Sequence, residues 1–300
     1  MHTTMHITKR LPLVTGLLAT ASLLAACGTS SDPGAAPPTT PASSPTAGST
    51  LAMPANYALV WSDEFNSNGL PDPAKWDEDT SANKTGWYNH ELQYYSRQRP
   101  ENAVVQDGTL RITARQESLS SAADWGGQAY TSSRLLTRGK ADWTYGYFEV
   151  RAKLPCGKGT WPAIWMLGSH GEWPANGELD IMEHIGRWPG RVLSTVHTPA
   201  GSGAHGVGAG VTLPDVCGAF HRYQMLWTQR DITFGVDGVD TLTYPRLDVG
   251  AVGAPRAWPF DAPQFLLLNV AIGGDLGGPV DDGIFPVTME VDYVRVWQAR

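Results

Sequence analysis

The chain has 300 residues, with 22 Lys and Arg against 29 Asp and Glu for a net charge of −7, and it carries 12 Trp and 10 Tyr. An acidic balance excludes the basic footprint that nucleic acid or a polybasic membrane contact requires. Neutral sugar suits it better, because amphipathic rings stack on flat apolar faces.

Residues 1–26 hold Lys9 and Arg10 and then an apolar run from Leu11 to Ala26. That order is a secretory signal, and the run is shorter than the roughly 20 residues of a spanning helix. It ends at LAAC, Leu24 to Cys27, which resembles the bacterial lipobox, whose cysteine is lipidated after cleavage. The expectation is therefore export, with a lipid anchor at Cys27 on the outer face of the membrane; cleavage nearby and plain secretion is the alternative. Lipidation of Cys27 leaves two of the three cysteines, Cys156 and Cys217, either as a disulfide or as two buried thiols.

Residues 27–55 are rich in Pro, Ser, Thr, Ala and Gly and almost free of large apolar side chains. Such a segment has too little surface to bury against its ordering entropy, so it reads as a disordered tether. The remaining residues, 56–300, suffice for one large domain. Thr109 to Gln116, Tyr145 to Leu154, Arg222 to Gln229, Asp231 to Gly238, Gln264 to Ile272 and Met289 to Gln298 alternate or run apolar over strand lengths between Gly and Pro turns. Long amphipathic helical stretches and a βαβ rhythm are missing. An all-β sandwich of two antiparallel sheets follows.

Residues 177–184 read GELDIMEH. On a strand Glu178 and Asp180 share a face, with Leu179 and Ile181 opposite. Glu183 has the wrong parity unless one extra residue, a β-bulge, restores it. Three acids on one face repel one another, and burying one alone is costly. A retaining glycosidase supplies a reason for them: one ionised carboxylate as nucleophile and one protonated carboxyl as acid, flanking the sugar bond. Glu178 then attacks, Glu183 serves as acid and base, and Asp180 lies between them.

The acids stand downstream of GKGTWPAIWMLGSHGEWPAN and upstream of STVH, LLLNVAIGG and VDYVRVW, with WSDEF, NHELQYY, YTSSR and YGYFEVRAKLP earlier in the chain. In this order they resemble glycoside hydrolase family 16, with its bulged Glu-x-Asp-x-x-Glu signature, and within it the bacterial laminarinases, endo-1,3-β-glucanases. The resemblance implies a jelly roll with a concave substrate groove. It implies that Trp161 and Trp165 line the subsite beside the nucleophile and that Trp173, in a loop, lies on the leaving-group side. His197 would hydrogen-bond at the site, and Asn89, Glu91 and Arg134 would bind glucose hydroxyls. It further implies a structural Ca²⁺ at Glu64, the carbonyl of Gly108 and Asp292, and no cofactor for catalysis.

The reading is a monomeric enzyme that hydrolyses internal β-1,3 bonds of β-glucan with retention. Its alternatives are a mixed 1,3-1,4-glucanase or galactan hydrolase of the same fold, a wall-glucan transglycosylase, and a non-catalytic β-glucan-binding module.

Overall fold

The computed structural model describes residues 49–247 and 254–300; the signal, Cys27 and most of the tether lie outside the described residues. Two sheets carry the domain. Seven strands form one sheet, in the order Val207–Thr212, Arg191–His197, Glu178–His184, Thr160–Gly168, Gln264–Ile272, Arg134–Leu136 and Asp77–Glu78. The acid-bearing strand therefore has a neighbour on each side. In the ten-stranded sheet Gly146–Lys153 and Val287–Ala299 lie centrally, and His221–Trp227, Asp231–Val236 and Thr109–Gln116 fall beside them.

The strands expected from alternation are all present, with ends shifted by a few residues at most. One departure is the pairing of Gln93–Tyr95 with Tyr130–Ser132, which is parallel. Parallel neighbours need a long crossover, and the intervening chain supplies one by first running through the Ala103–Gln106 and Thr109–Gln116 hairpin.

The core lies between the sheets. From one come Ile164, Met166, Leu179, Ile181, Met182, Leu266, Leu268 and Val270, and from the other Phe148, Val150, Tyr223, Met225, Trp227, Val291 and Val294, all in one buried cluster. Gln264–Ile272 is buried along its whole length. Its alternate residues Phe265 and Leu267 pack on the far face with Leu136, Trp165 and Leu167. A strand covered on both faces loses the polar alternation of a half-exposed one, so QFLLLNVAI reads as a continuous apolar run.

Cys156 and Cys217 form a disulfide, with Cα atoms 5.8 Å apart. It joins the chain after Gly146–Lys153 to the chain before His221–Trp227, two strands already paired at His221 and Ala152. The bridge thus fastens the ends of one ladder.

The domain begins earlier than residue 56. Thr50 bridges Val239, and the Leu51 amide donates to the Gly238 carbonyl at 2.9 Å. Leu51 is 5% exposed, packed where a Cβ on Gly235 would come within 2.8 Å of its Cδ2. Leu51 is a large apolar residue in an otherwise small and polar stretch, and the hydrophobic effect draws it out of the tether. A chain trimmed to start at residue 56 is expected to lose about 2 kcal/mol of stability relative to one starting at 49, from the side chain's burial; equal denaturation midpoints for the two would refute this.

Candidate active site

The bulge expected in GELDIMEH is present. Against Arg191–His197 the partners run Glu178 to His197, Leu179 to Val196 and Asp180 to Thr195, then skip to Glu183 and Leu193. Against Thr160–Gly168 the same break falls between Asp180 and Met182. Ile181 and Met182 both enter the core, at 1% and 0% exposure. Two consecutive side chains on the core side are what return Glu183 to the face of Glu178 and Asp180.

Neighbouring strands hold the three acids by diagonal contacts. His197, opposite Glu178, brings Nε2 to 3.1 Å from Asp180 Oδ2. Thr195, opposite Asp180, donates its hydroxyl to Glu183 Oε2 at 3.3 Å. Trp161 donates its indole N–H to Glu183 Oε1 at 2.9 Å. Trp173, in the loop before the acid-bearing strand and 49% exposed, donates to Glu178 Oε2 at 2.6 Å. Its ring lies 6.4 Å from that of His197.

Trp165 lies opposite Asp180 in register. The guanidinium of Arg134 sits over its ring at 4.7 Å and over that of Trp87 at 5.2 Å, with Asp79 3.4 Å from Nε. The indole N–H of Trp165 donates to Asn269 at 2.7 Å, and Asn269 donates to the Tyr95 hydroxyl at 3.0 Å. That hydroxyl donates in turn to Glu91 at 3.5 Å, and Gln93 donates to the same carboxylate at 2.8 Å. Asn89 lies in a turn at φ 55°. Its carbonyl would be 2.8 Å from a Cβ at Gly274, where the Trp161 ring is 3.4 Å away and φ is +71°. Only glycine suits that position, and the close approach draws Asn89 and Trp161 to one end of the site.

Burial dominates the electrostatics. It pushes Glu178 up to about 8, with the Asp180 charge adding to the rise. Asp180 is driven well above the carboxylate range by burial and then by Glu183. Glu183 is also raised by burial, while His197, the Trp161 N–H and the Thr195 hydroxyl oppose the shift. The trio therefore retains protons near neutrality that free carboxyls would release. Burial pushes His184, on the core side of the same strand, down to about 4.

The sequence matches the Glycosyl hydrolases family 16 over residues 90–293. The chain belongs to this family. It is 49% identical over 256 residues to a beta-glucanase of Rhodothermus marinus, an alignment spanning 81% of this chain and 86% of the relative. Among solved structures, the non-specific endo-β-1,3(4)-glucanase SCLam superposes with a TM-score of 0.80 at 52% identity, over 84% of this chain and 94% of that one. The laminarinase from Rhodothermus marinus superposes at 0.75, with 49% identity over 81% of this chain and 97% of that one.

The calcium donors implied by the family 16 resemblance are otherwise engaged. Glu64 forms a two-pronged pair with Arg295 at 2.9 and 2.8 Å, and Asp292 pairs with Arg151 at 2.5 Å. Gly108 lies in a turn of the ten-stranded sheet. A cation taking both carboxylates would have to displace two guanidinium groups, so the donor set does not fit Ca²⁺ as it stands.

Four residues of this family 16 site escaped the sequence reading: Thr195, Asn269, Tyr95 and Gln93. Asn269 left a signal, as a polar residue in the interior of an otherwise apolar run. Thr195 shares strand parity with His197. Tyr95 and Gln93 stand within NHELQYY, but besides nearby Glu91 their partners, Asn269 and the Ile272 amide, lie far away along the chain.

Two outcomes follow from these contacts. In the unfolded chain a glutamate releases its proton near its ordinary value, whereas Glu178 in the folded chain keeps its proton up to about pH 8. The folded state thus loses relative stability as pH rises through that window. Glu178→Gln is expected to raise the Tm, with the gain over the parent larger at pH 8 than at pH 5 by about 3 °C; a gain independent of pH would contradict it. Trp173→Phe keeps a ring and deletes the N–H that lowers the Glu178 pKa. The acidic limb of kcat/KM should move to higher pH, and an unmoved limb would deny that the contact bears on the acid.

Proposed function

We propose that this chain is an endo-acting, retaining glycoside hydrolase that cleaves internal β-1,3-glucosidic bonds of laminarin-type β-glucans. The observation that carries the proposal is the bulge at Ile181 and Met182, because it gathers nucleophile, intermediate acid and proton donor on one sheet face. The Rhodothermus relatives, a beta-glucanase and a laminarinase, support the choice of substrate.

In this reading Glu178 attacks the anomeric carbon while Glu183 protonates the departing oxygen; water, deprotonated by Glu183, then releases the glycosyl-enzyme. Asp180 keeps a proton, because burial and then the Glu183 charge hold its carboxyl well above the usual range. A neutral Asp180 removes the neighbouring charge that opposes ionisation of Glu178, leaving a carboxylate to act as nucleophile. Burial keeps Glu183 protonated. The two carboxyls provide both nucleophile and proton, so the chemistry calls for no cofactor.

Trp161, bonded to Glu183, and Trp165, opposite Asp180, wall one end of the acid-bearing face, Trp173 reaches Glu178 from the other end and stacks on a sugar there, and Arg134, Glu91 and Asn89 take glucose hydroxyls on the side of Trp161 and Trp165. The N-terminal features extend the proposal to an exported monomer, anchored at Cys27 or secreted. Among the described residues no helix is long and apolar enough to cross a membrane.

A second reading, cleavage of mixed 1,3-1,4-glucan, is favoured by the non-specific relative at 52% identity. Incubation with laminarin, lichenan, agarose and carrageenan separates the two: a ladder of oligosaccharides from laminarin supports the first, and equal rates on lichenan support the second. Glucose as the sole product would overturn the endo assignment, and products longer than the substrate would indicate transglycosylation. Glu178→Gln and Glu183→Gln should each lower kcat on laminarin by about 10³-fold or more while glucan binding persists; near-parental turnover in either would overturn the roles.

A further inference from the structure

The strand that presents the acids has a second cluster of reactive groups on its core side. His184 follows Glu183 directly and is fully buried. Its Nε2 faces the Cys156 sulfur at 4.0 Å. Cys156 Sγ, Cys217 Sγ and the His184 ring nitrogen all lie within 4.8 Å of one another. The mechanism uses none of the three.

Two thiolates and an imidazole are a donor set for a soft tetrahedral ion, which holds sulfur at about 2.3 Å and nitrogen at about 2.0 Å and so spaces its ligands by roughly 3.5 Å. The His184 nitrogen is already near that spacing from the Cys156 sulfur, and the two sulfurs, joined in the bridge, reach it by parting once the bond between them is reduced. The donors come from three places, namely the loop after Gly146–Lys153, the acid-bearing strand and the loop before His221–Trp227, so an ion there would be held by three separate segments. Both cysteines are half-buried rather than sealed in the core, which leaves the bridge open to a small reductant.

We propose that Cys156, Cys217 and His184 form a latent site for zinc or a chemically similar divalent ion, opened when the disulfide is reduced. A dithiol transfers two electrons to the bridge, closing its own sulfurs into a disulfide and leaving two thiols. Binding of the ion then displaces both thiol protons to solvent, and the His184 lone pair completes a three-donor site with a fourth position open to water. Because His184 is bonded to Glu183, occupation pulls on the residue that the preceding section casts as the proton donor. The redox state of the bridge thereby reaches the opposite face of the sheet.

The test uses the full chain carrying Cys27→Ala, so that only the two bridge cysteines can supply thiols. After reduction and anaerobic removal of the dithiol, cobalt(II) is added as a spectroscopic probe and zinc affinity is measured by competition with a chromophoric chelator. The expected result is one ion per chain with a thiolate-to-cobalt charge-transfer band in reduced protein, and no band in oxidised protein. Cys217→Ser and His184→Gln should each weaken zinc binding by at least about tenfold. Near-ultraviolet circular dichroism of each variant verifies that it remains folded, and the serine variant keeps the test decisive if the glutamine variant does not.

Absence of the band in reduced, folded protein would overturn the proposal, as would zinc affinity unchanged in the folded variants. The spectroscopic readout is independent of hydrolysis, so it stands or falls apart from the glucanase reading. In the activity arm, zinc should slow laminarin hydrolysis by reduced protein and spare oxidised protein at the same concentration. Equal inhibition of both forms would place the ion at Glu178, Asp180 and His197 on the other face and refute the coupling.

Discussion

Strand parity is the constraint on which this site depends. A pleated strand offers every second side chain to a given face, so Glu178 and Asp180 come together without special provision and Glu183 does not. The extra residue at Ile181–Met182 changes that, and it is stable because both bulge side chains are large, apolar and fully accommodated in the core. The local irregularity is secured by the hydrophobic effect acting below it, while its product is a polar cluster above. Fold and chemistry meet in those two side chains.

The cluster places like charges in a poorly hydrated setting, and the surroundings answer with neutral donors more than with cations. Indole N–H groups reach Glu178 and Glu183, a threonine hydroxyl reaches Glu183, and His197 stands beside Asp180. Neutral donors stabilise a carboxylate without fixing its protonation state, as a guanidinium would. Arg134 is placed accordingly: it lies between two aromatic faces near Asp79. On the other sheet, by contrast, Glu64 and Asp292 meet arginines directly.

Much of the fold was legible in the sequence because its periodicity is strong. Alternation located Thr109–Gln116 and the long C-terminal strand, and the apolar run at Gln264–Ile272 was recognisable by its length. The bulge could be inferred from three acids whose spacing made sense only if parity were broken once. The parts that escaped depend on tertiary placement. Leu51 belongs to the domain through a pocket made by a glycine far along the chain. Tyr95 and Gln93 tie nearby Glu91 to partners more than 170 residues away. The carboxylates at Glu64 and Asp292 resemble ligands in sequence and become ion pairs in space because each has an arginine on an adjacent strand.

Gln264–Ile272 lies in the interior of the seven-stranded sheet and is occluded above and below. It is a plank with no idle surface: its even-numbered residues fill the sandwich, and its odd-numbered ones underpin Trp165 and the polar relay toward Glu91. Natural variation in sugar preference has little room there. Diversification falls instead to the margins, where the Trp173 loop and the turn around Asn89 can be rebuilt without disturbing the beam they are mounted on.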